Sequence, residues 1–136
     1  MTIAGELAAF LTATKPADLP PLALERAQMS IASTIASAAM GLDIESSRII
    51  RDLAKEHGGP AEATVWFDGA KLPAIDAAHA NALASDAAAS DDSDLRSIAH
   101  IGTIVTSTSI AMAERLGKSV VVATTETPEQ RDFQQN

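Results

Sequence analysis

The stretch DLPPLALERAQMSIASTIASAAMG, ending at Gly41, constrains this chain more than any other. Pro20 and Pro21 suit the opening of a helix, because a proline in the first helical position lacks a donor that would have had no partner there anyway. Leu24, Ile31 and Ile35 then fall on one face, while many of the remaining positions are Ala or Ser. A helix so poor in bulk implies a neighbour whose axis comes close, and Gly41 is expected just past its end, at C′. The whole chain repeats the theme. Of its 136 residues 46% are hydrophobic but only 3% aromatic, so a core must rest on close helix packing more than on large side chains.

The other elements follow from spacing and punctuation. A first helix is expected from Thr2 to about Thr14, capped by Thr2, with Ile3, Leu7, Phe10 and Leu11 recurring at helical intervals. Another runs from about Ile44 to His57, carries Ile49, Ile50 and Leu53, and stops at Gly58-Gly59. ATVWFDGAKLP, Ala63 to Pro73, breaks the helical pattern: Val65, Trp66 and Phe67 favour strands, and Asp68-Gly69 is a preferred two-residue type I′ turn. A small β-hairpin is therefore predicted near 63–73. Ile75, Ala78, Ala82 and Leu83 mark a fourth helix to about Ala89, and Ile101, Ile104, Val105, Thr108 and Met112 a fifth, closed by Gly117. The expected fold is mostly all-α, a helical bundle with one small hairpin. The end, KSVVVATTETPEQRDFQQN, starts like a strand and meets Pro128, so residues 118–136 are expected to form a divergent, partly disordered tail behind a domain of residues 1–117.

Charge and composition exclude several functions. A formal charge of −8 with no basic stripe repels phosphate backbones and anionic lipid, which argues against nucleic-acid and membrane partners. Cysteine is absent, removing disulfides, thiolate metal sites and cysteine nucleophiles. MTIAGELAAFL lacks the basic start of a signal peptide, and no apolar run approaches the ~20 residues of a membrane span. A soluble, cytoplasmic protein is expected. Glycine-rich phosphate loops, HExxH pairs and GxSxG elbows are missing from the sequence.

Chemistry concentrates in SDAAASDDSDLRSIAH, Ser85 to His100, with four aspartates, an arginine and a histidine between two alanine-rich helices. Such a segment suits a metal cage, a catalytic loop or a solvated turn. DDSDLR lacks the glycine and the bidentate acid of a calcium loop, so no metal is assigned. Asp86 and Asp94 fit a solvated turn or a helix cap, and Arg96 could simply pair with a neighbouring aspartate. His57 reads as a helix-terminal cation, His79 as a helix-face residue and Trp66 as hairpin packing.

Taken in order, these pieces resemble the N-terminal part of the MmgE/PrpD family, whose members include 2-methylcitrate dehydratase, cis-aconitate decarboxylase and iminodisuccinate epimerase. The opening LAAFL, the proline-started helix ending AAMG, the segment GGPAEATVWFDGAKLPAIDAAHANALASDA, the acidic loop and the histidine before AMAERLG succeed one another as in that family, over about Leu7 to Gly117. The resemblance implies the front part of a large helical domain. It also implies a cofactor-independent lyase or isomerase acting on small di- or tricarboxylic acids, assembled as a homodimer. Full-length members are several hundred residues long, so this chain is expected to be a truncated member, inactive alone. A non-catalytic helical module that self-associates through an apolar face is the alternative.

The family commonly shows a pattern like DFDDTH, with a histidine-proline step a few residues later. Asp91 and Asp92 match the paired acids, Ser93 the hydroxyl position and His100 the later histidine, whereas Ala89, Asp94 and Ile101 depart from the pattern. The resemblance thus implies His100, Asp91 and Asp92 as catalytic residues, with Arg96, Ser93 and Asn81 on the substrate-binding side. Dehydration, decarboxylation or epimerisation beside a carboxylate needs a base, donors for the developing charge and cations for the carboxylates. His100 would act as base or carboxylate donor, Arg96 as a bidentate clamp, and Asp91 or Asp92 as the group that orients them. Ser93 would offer a hydroxyl, and Asn81 would brace the acidic loop by hydrogen bonding to its backbone.

Overall fold

The computed structural model describes residues 2–91 and 99–118. Helices α1 (Ile3–Ala13), α2 (Pro21–Gly41) and α3 (Glu45–His57) are followed by strands β1 (Ala63–Thr64) and β2 (Lys71–Leu72), then by α4 (Ala74–Ala87) and α5 (Ile101–Arg115). The fold is mostly α-helical with one antiparallel two-stranded sheet, in which Ala63 faces Leu72 and Thr64 faces Lys71. None of the described helices is long and apolar enough to cross a membrane. The described residues fall into two units, residues 2–28 and residues from 29 to 118.

In the first unit, Thr2 caps α1 as its sequence position implies, its hydroxyl accepting from the Gly5 amide at 3.2 Å. Ile3, Leu7, Phe10 and Leu11 are all exposed, so the apolar face of α1 is not buried. The Pro20 carbonyl accepts from the Ala23 and Leu24 amides, which starts α2 where the proline pair predicts.

The second unit is built around α4. It packs on α5, on α3 and on both strands. Its first free amide, that of Ala74, is satisfied by the Glu62 carboxylate at 3.0 Å, which ties the helix start to the hairpin. The core joins Val65 and Leu72 of the hairpin region to alanines of α3, α4 and α5. Burying Val65 and Leu72 contributes about 1.5–3 kcal/mol each, and the alanines add contact density more than transfer energy.

Two sequence expectations need correction. Gly41 is the last residue of α2 rather than a left-handed C′ residue; its role is steric, because a Cβ there would run into the Ala84 carbonyl oxygen of α4. The hairpin loop is not a two-residue type I′ turn. Positive φ falls on Phe67 (62°) and Gly69 (80°), Val65 N–H donates to the Ala70 carbonyl, and Gly69 N–H donates back to Val65, so the loop spans residues 65–70. The large apolar residues Ile75 of α4 and Ile104 of α5 lie on the outer side of the pair. Ile75 is 78% exposed and Ile104 61%, while the buried faces carry Ala77, Ala80, Asn81, Ala84 and Ser85 on α4 and Thr103, Thr106, Ser107 and Ala111 on α5. Small side chains let the two axes approach, and larger ones cannot enter the seam.

Candidate functional site

The site forms where α4 ends and α5 begins. Ala88 closes α4, and Ala89 takes a left-handed backbone (φ 49°), turning the chain out of the helix toward Asp91. His100 occupies the N-cap position of α5 but makes no side-chain capping bond. Its ring turns instead to Asp91, with Nδ1 2.7 Å from Oδ2. Because an ionised carboxylate can only accept, Nδ1 carries the proton in this contact, and the neutral ring presents Nε2 as an acceptor. Thr103, in the first turn of α5, donates its hydroxyl to the same Asp91 oxygen at 2.8 Å.

Asp91 and His100 differ sharply in exposure. The Asp91 side chain is 1% exposed and that of His100 41%. Burial alone would raise the Asp91 pKa, but the hydrogen bonds from Thr103 and His100 outweigh it and hold the carboxyl below its ordinary value. Asp91 is therefore a carboxylate at neutral pH. Its second oxygen, Oδ1, is buried and has no hydrogen-bond partner among the described residues. Asp86, 49% exposed, brings Oδ1 to 3.5 Å from His100 Nδ1, a looser contact than that of Asp91. One ligand atom from each of Asp86, Asp91 and His100 lies within 4.8 Å of the others, so a cation would compete with the Asp91–His100 hydrogen bond for the same atoms.

The structure thus brings Asp91 and His100 together. Asp92, Ser93 and Arg96 lie outside the described residues, as does Asp94. Asn81 is described and does not reach the acidic loop. Buried in α4, it accepts from the Trp66 amide at 2.8 Å and donates to the Thr64 carbonyl at 2.9 Å, so it braces the hairpin. His57 and His79 are both exposed, and His79 lines a groove between α4 and α5. Thr103 and Ser85 were not singled out from the sequence. The hydroxyl spacing of GTIVTSTS, with Thr103, Thr106 and Ser107 on one helical face, was the available signal.

No curated protein and no solved structure matches the chain. A family profile, that of the MmgE/PrpD N-terminal domain, does match, over residues 5–134. The elements that carried the resemblance are found in the expected order: the helix from Pro21, the hairpin, the alanine-rich α4 and the histidine that opens α5. The chain belongs to the MmgE/PrpD family, through its N-terminal domain.

Proposed function

We propose that this chain supplies the Asp91–His100 acid–base pair of a lyase or isomerase that acts on small di- or tricarboxylic acids, without a metal or organic cofactor. The observation that carries the reading is a half-exposed imidazole held through Nδ1 by a buried, ionised carboxylate. Family membership supports the substrate class. In this arrangement Nε2 is the basic atom. It would take a proton from a carbon beside a substrate carboxylate, and Asp91 would stabilise the imidazolium that forms. The same imidazolium could return the proton to a departing hydroxyl, which completes dehydration; epimerisation needs in addition a second proton donor on the opposite face of the carbanion. Carboxylate-binding cations are needed in addition, and Arg96 is our candidate. Consistent with the cysteine-free sequence, we place the protein in the cytoplasm.

Turnover of citrate-like, aconitate-like and iminodisuccinate substrates tests this, using the chain as it stands and a version extended at its C-terminus. Substrate conversion that is lost in His100→Ala is the expected result. If neither form converts any of these acids, or if His100→Ala converts them equally well, the reading is wrong.

One observation favours a second reading, an association module. Ile75, Ile104 and Met112 are exposed and line a groove of about 460 Å³ between α4 and α5, a face that a second copy in a homodimer would cover. Light scattering decides it: a strictly monomeric protein overturns this reading, and a dimer broken by Ile104→Glu supports it.

A further inference from the structure

Thr103 has no part in the roles assigned so far, yet it touches the central carboxylate. It lies buried in the first turn of α5, with its hydroxyl on Asp91 Oδ2, the oxygen that also meets His100. A hydroxyl has one proton to give. With that proton on Asp91, the Thr103 oxygen is left as an acceptor, and Ser85 Oγ of α4 lies 3.0 Å away, its one proton shared between Thr103 and the Ala82 carbonyl at 2.9 Å. Ser85 is fully buried, and Ser37 of α2 donates to its carbonyl at 2.6 Å. Three helices are thus joined by hydroxyls in a line that ends at Asp91.

We propose that Thr103 is a positioning residue: its hydroxyl, backed by Ser85, fixes the Asp91 carboxylate so that His100 keeps its proton on Nδ1 and presents Nε2 as acceptor. This rests on the reading of His100 as the base and adds what holds that base in its working tautomer. The need for such a hold comes from the carboxylate itself. Among the described residues Oδ1 has no hydrogen-bond partner, and the two side chains that meet the carboxylate do so on the Oδ2 side. His100 is there, but it is half-exposed and is the group to be oriented. Thr103 is the other side chain donating to Asp91 among the described residues, and it sits on a helix. Without it a rotated carboxylate could no longer discriminate between the two imidazole tautomers.

Nitrogen-15 NMR of the imidazoles in the full chain tests the proposal independently of turnover. The sequence has 3 histidines, and the His100 signals are assigned by their loss in His100→Gln. In the wild type the neutral His100 ring should show a protonated Nδ1 and a bare Nε2. Thr103→Val keeps the side-chain shape and removes the donor; it should shift His100 toward the Nε2–H form that free imidazole favours in water. Thr103→Ser restores the hydroxyl and should restore the wild-type signals. Ser85→Ala, a milder change, should shift them in the same direction by less, and serves if the valine variant does not fold. A folded Thr103→Val protein with wild-type tautomer signals overturns the proposal, and so does a serine variant as perturbed as the valine one. If Thr103→Val does not fold, wild-type signals in Ser85→Ala overturn it. Should the tautomer shift while His100→Ala retains turnover, Thr103 positions the ring and the base reading fails instead.

Discussion

The two ends of the α4–α5 pair are both polar, and they are wired differently. At the hairpin end Asn81 spends its amide on the Trp66 N–H and the Thr64 carbonyl, while Glu114 accepts from the Thr64 amide, the Thr64 hydroxyl and the Lys71 ammonium. At the loop end Asp91 keeps a buried oxygen without a partner among the described residues, and the His100 side chain is 41% exposed. A polar cluster that is closed on itself is a brace. One that is left incomplete and partly open retains capacity to bind or to exchange a proton.

The largest effect should come from breaking what both ends share, the close approach of small-residue helices. Gly41→Ala would drive a methyl into the α4 backbone at Ala84 and should cost about 3 kcal/mol or more, read as a lower urea midpoint. Next comes the hairpin brace. Asn81→Ala leaves the Trp66 amide and the Thr64 carbonyl without their partner and should lower stability by about 2 kcal/mol, while the nitrogen-15 signals of the His100 ring stay put. Ring signals that moved with it would erase the distinction between the ends.

Acid sharpens the contrast further. Glu114 is pushed up by burial but pulled down more strongly by its bonds to Lys71 and Thr64, and Asp68 is lowered chiefly by its bond to Lys55. With Asp91, these carboxyls have folded pKa values below their unfolded ones. Their contribution to stability is fully present above the unfolded values and is lost as pH falls below about 4, through the folded values. Glu114→Gln should therefore cost about 1 kcal/mol at neutral pH and flatten the acid limb of a stability profile. The smallest effect is expected at Phe67. Replacing it with glycine relieves a left-handed backbone worth about 1–2 kcal/mol and loses about 0.5–1 kcal/mol of chain entropy, so the melting temperature should rise slightly.

Local chemistry was the legible part of the sequence. The Thr2 cap, the proline start of α2 and the stops at Gly58 (φ 65°) and Gly117 (φ 61°) each follow from one residue's backbone or hydrogen-bonding preference. The resemblance named Asp91, Asp92 and His100 but left open which aspartate orients His100 or Arg96; the pairing of Asp91 with His100 across a nine-residue separation is read from the structure. Helical spacing located α4 and α5 without saying which face is buried. Ile75 and Ile104 obey helical spacing but lie outside, because the seam they flank admits nothing larger than Thr or Asn. Asn81 was misdirected for a related reason: it lies before the acidic loop in sequence, but its buried side chain meets the hairpin. At Phe67 the loop takes its positive φ one residue before the Asp-Gly pair, a choice fixed by the Val65–Ala70 bond and invisible to turn preferences.

The small-residue seam also has a calorimetric consequence. Unfolding would hydrate methyl, hydroxyl and backbone groups more than large hydrocarbon surfaces, and polar exposure lowers the heat capacity while apolar exposure raises it. The heat-capacity increment per residue of the second unit should therefore fall below the ordinary ~12–15 cal/mol/K, giving a broad, shallow stability curve. Such a protein changes its stability little over the range of growth temperatures. It gives way on cooling later than a domain of equal size built around leucine and phenylalanine.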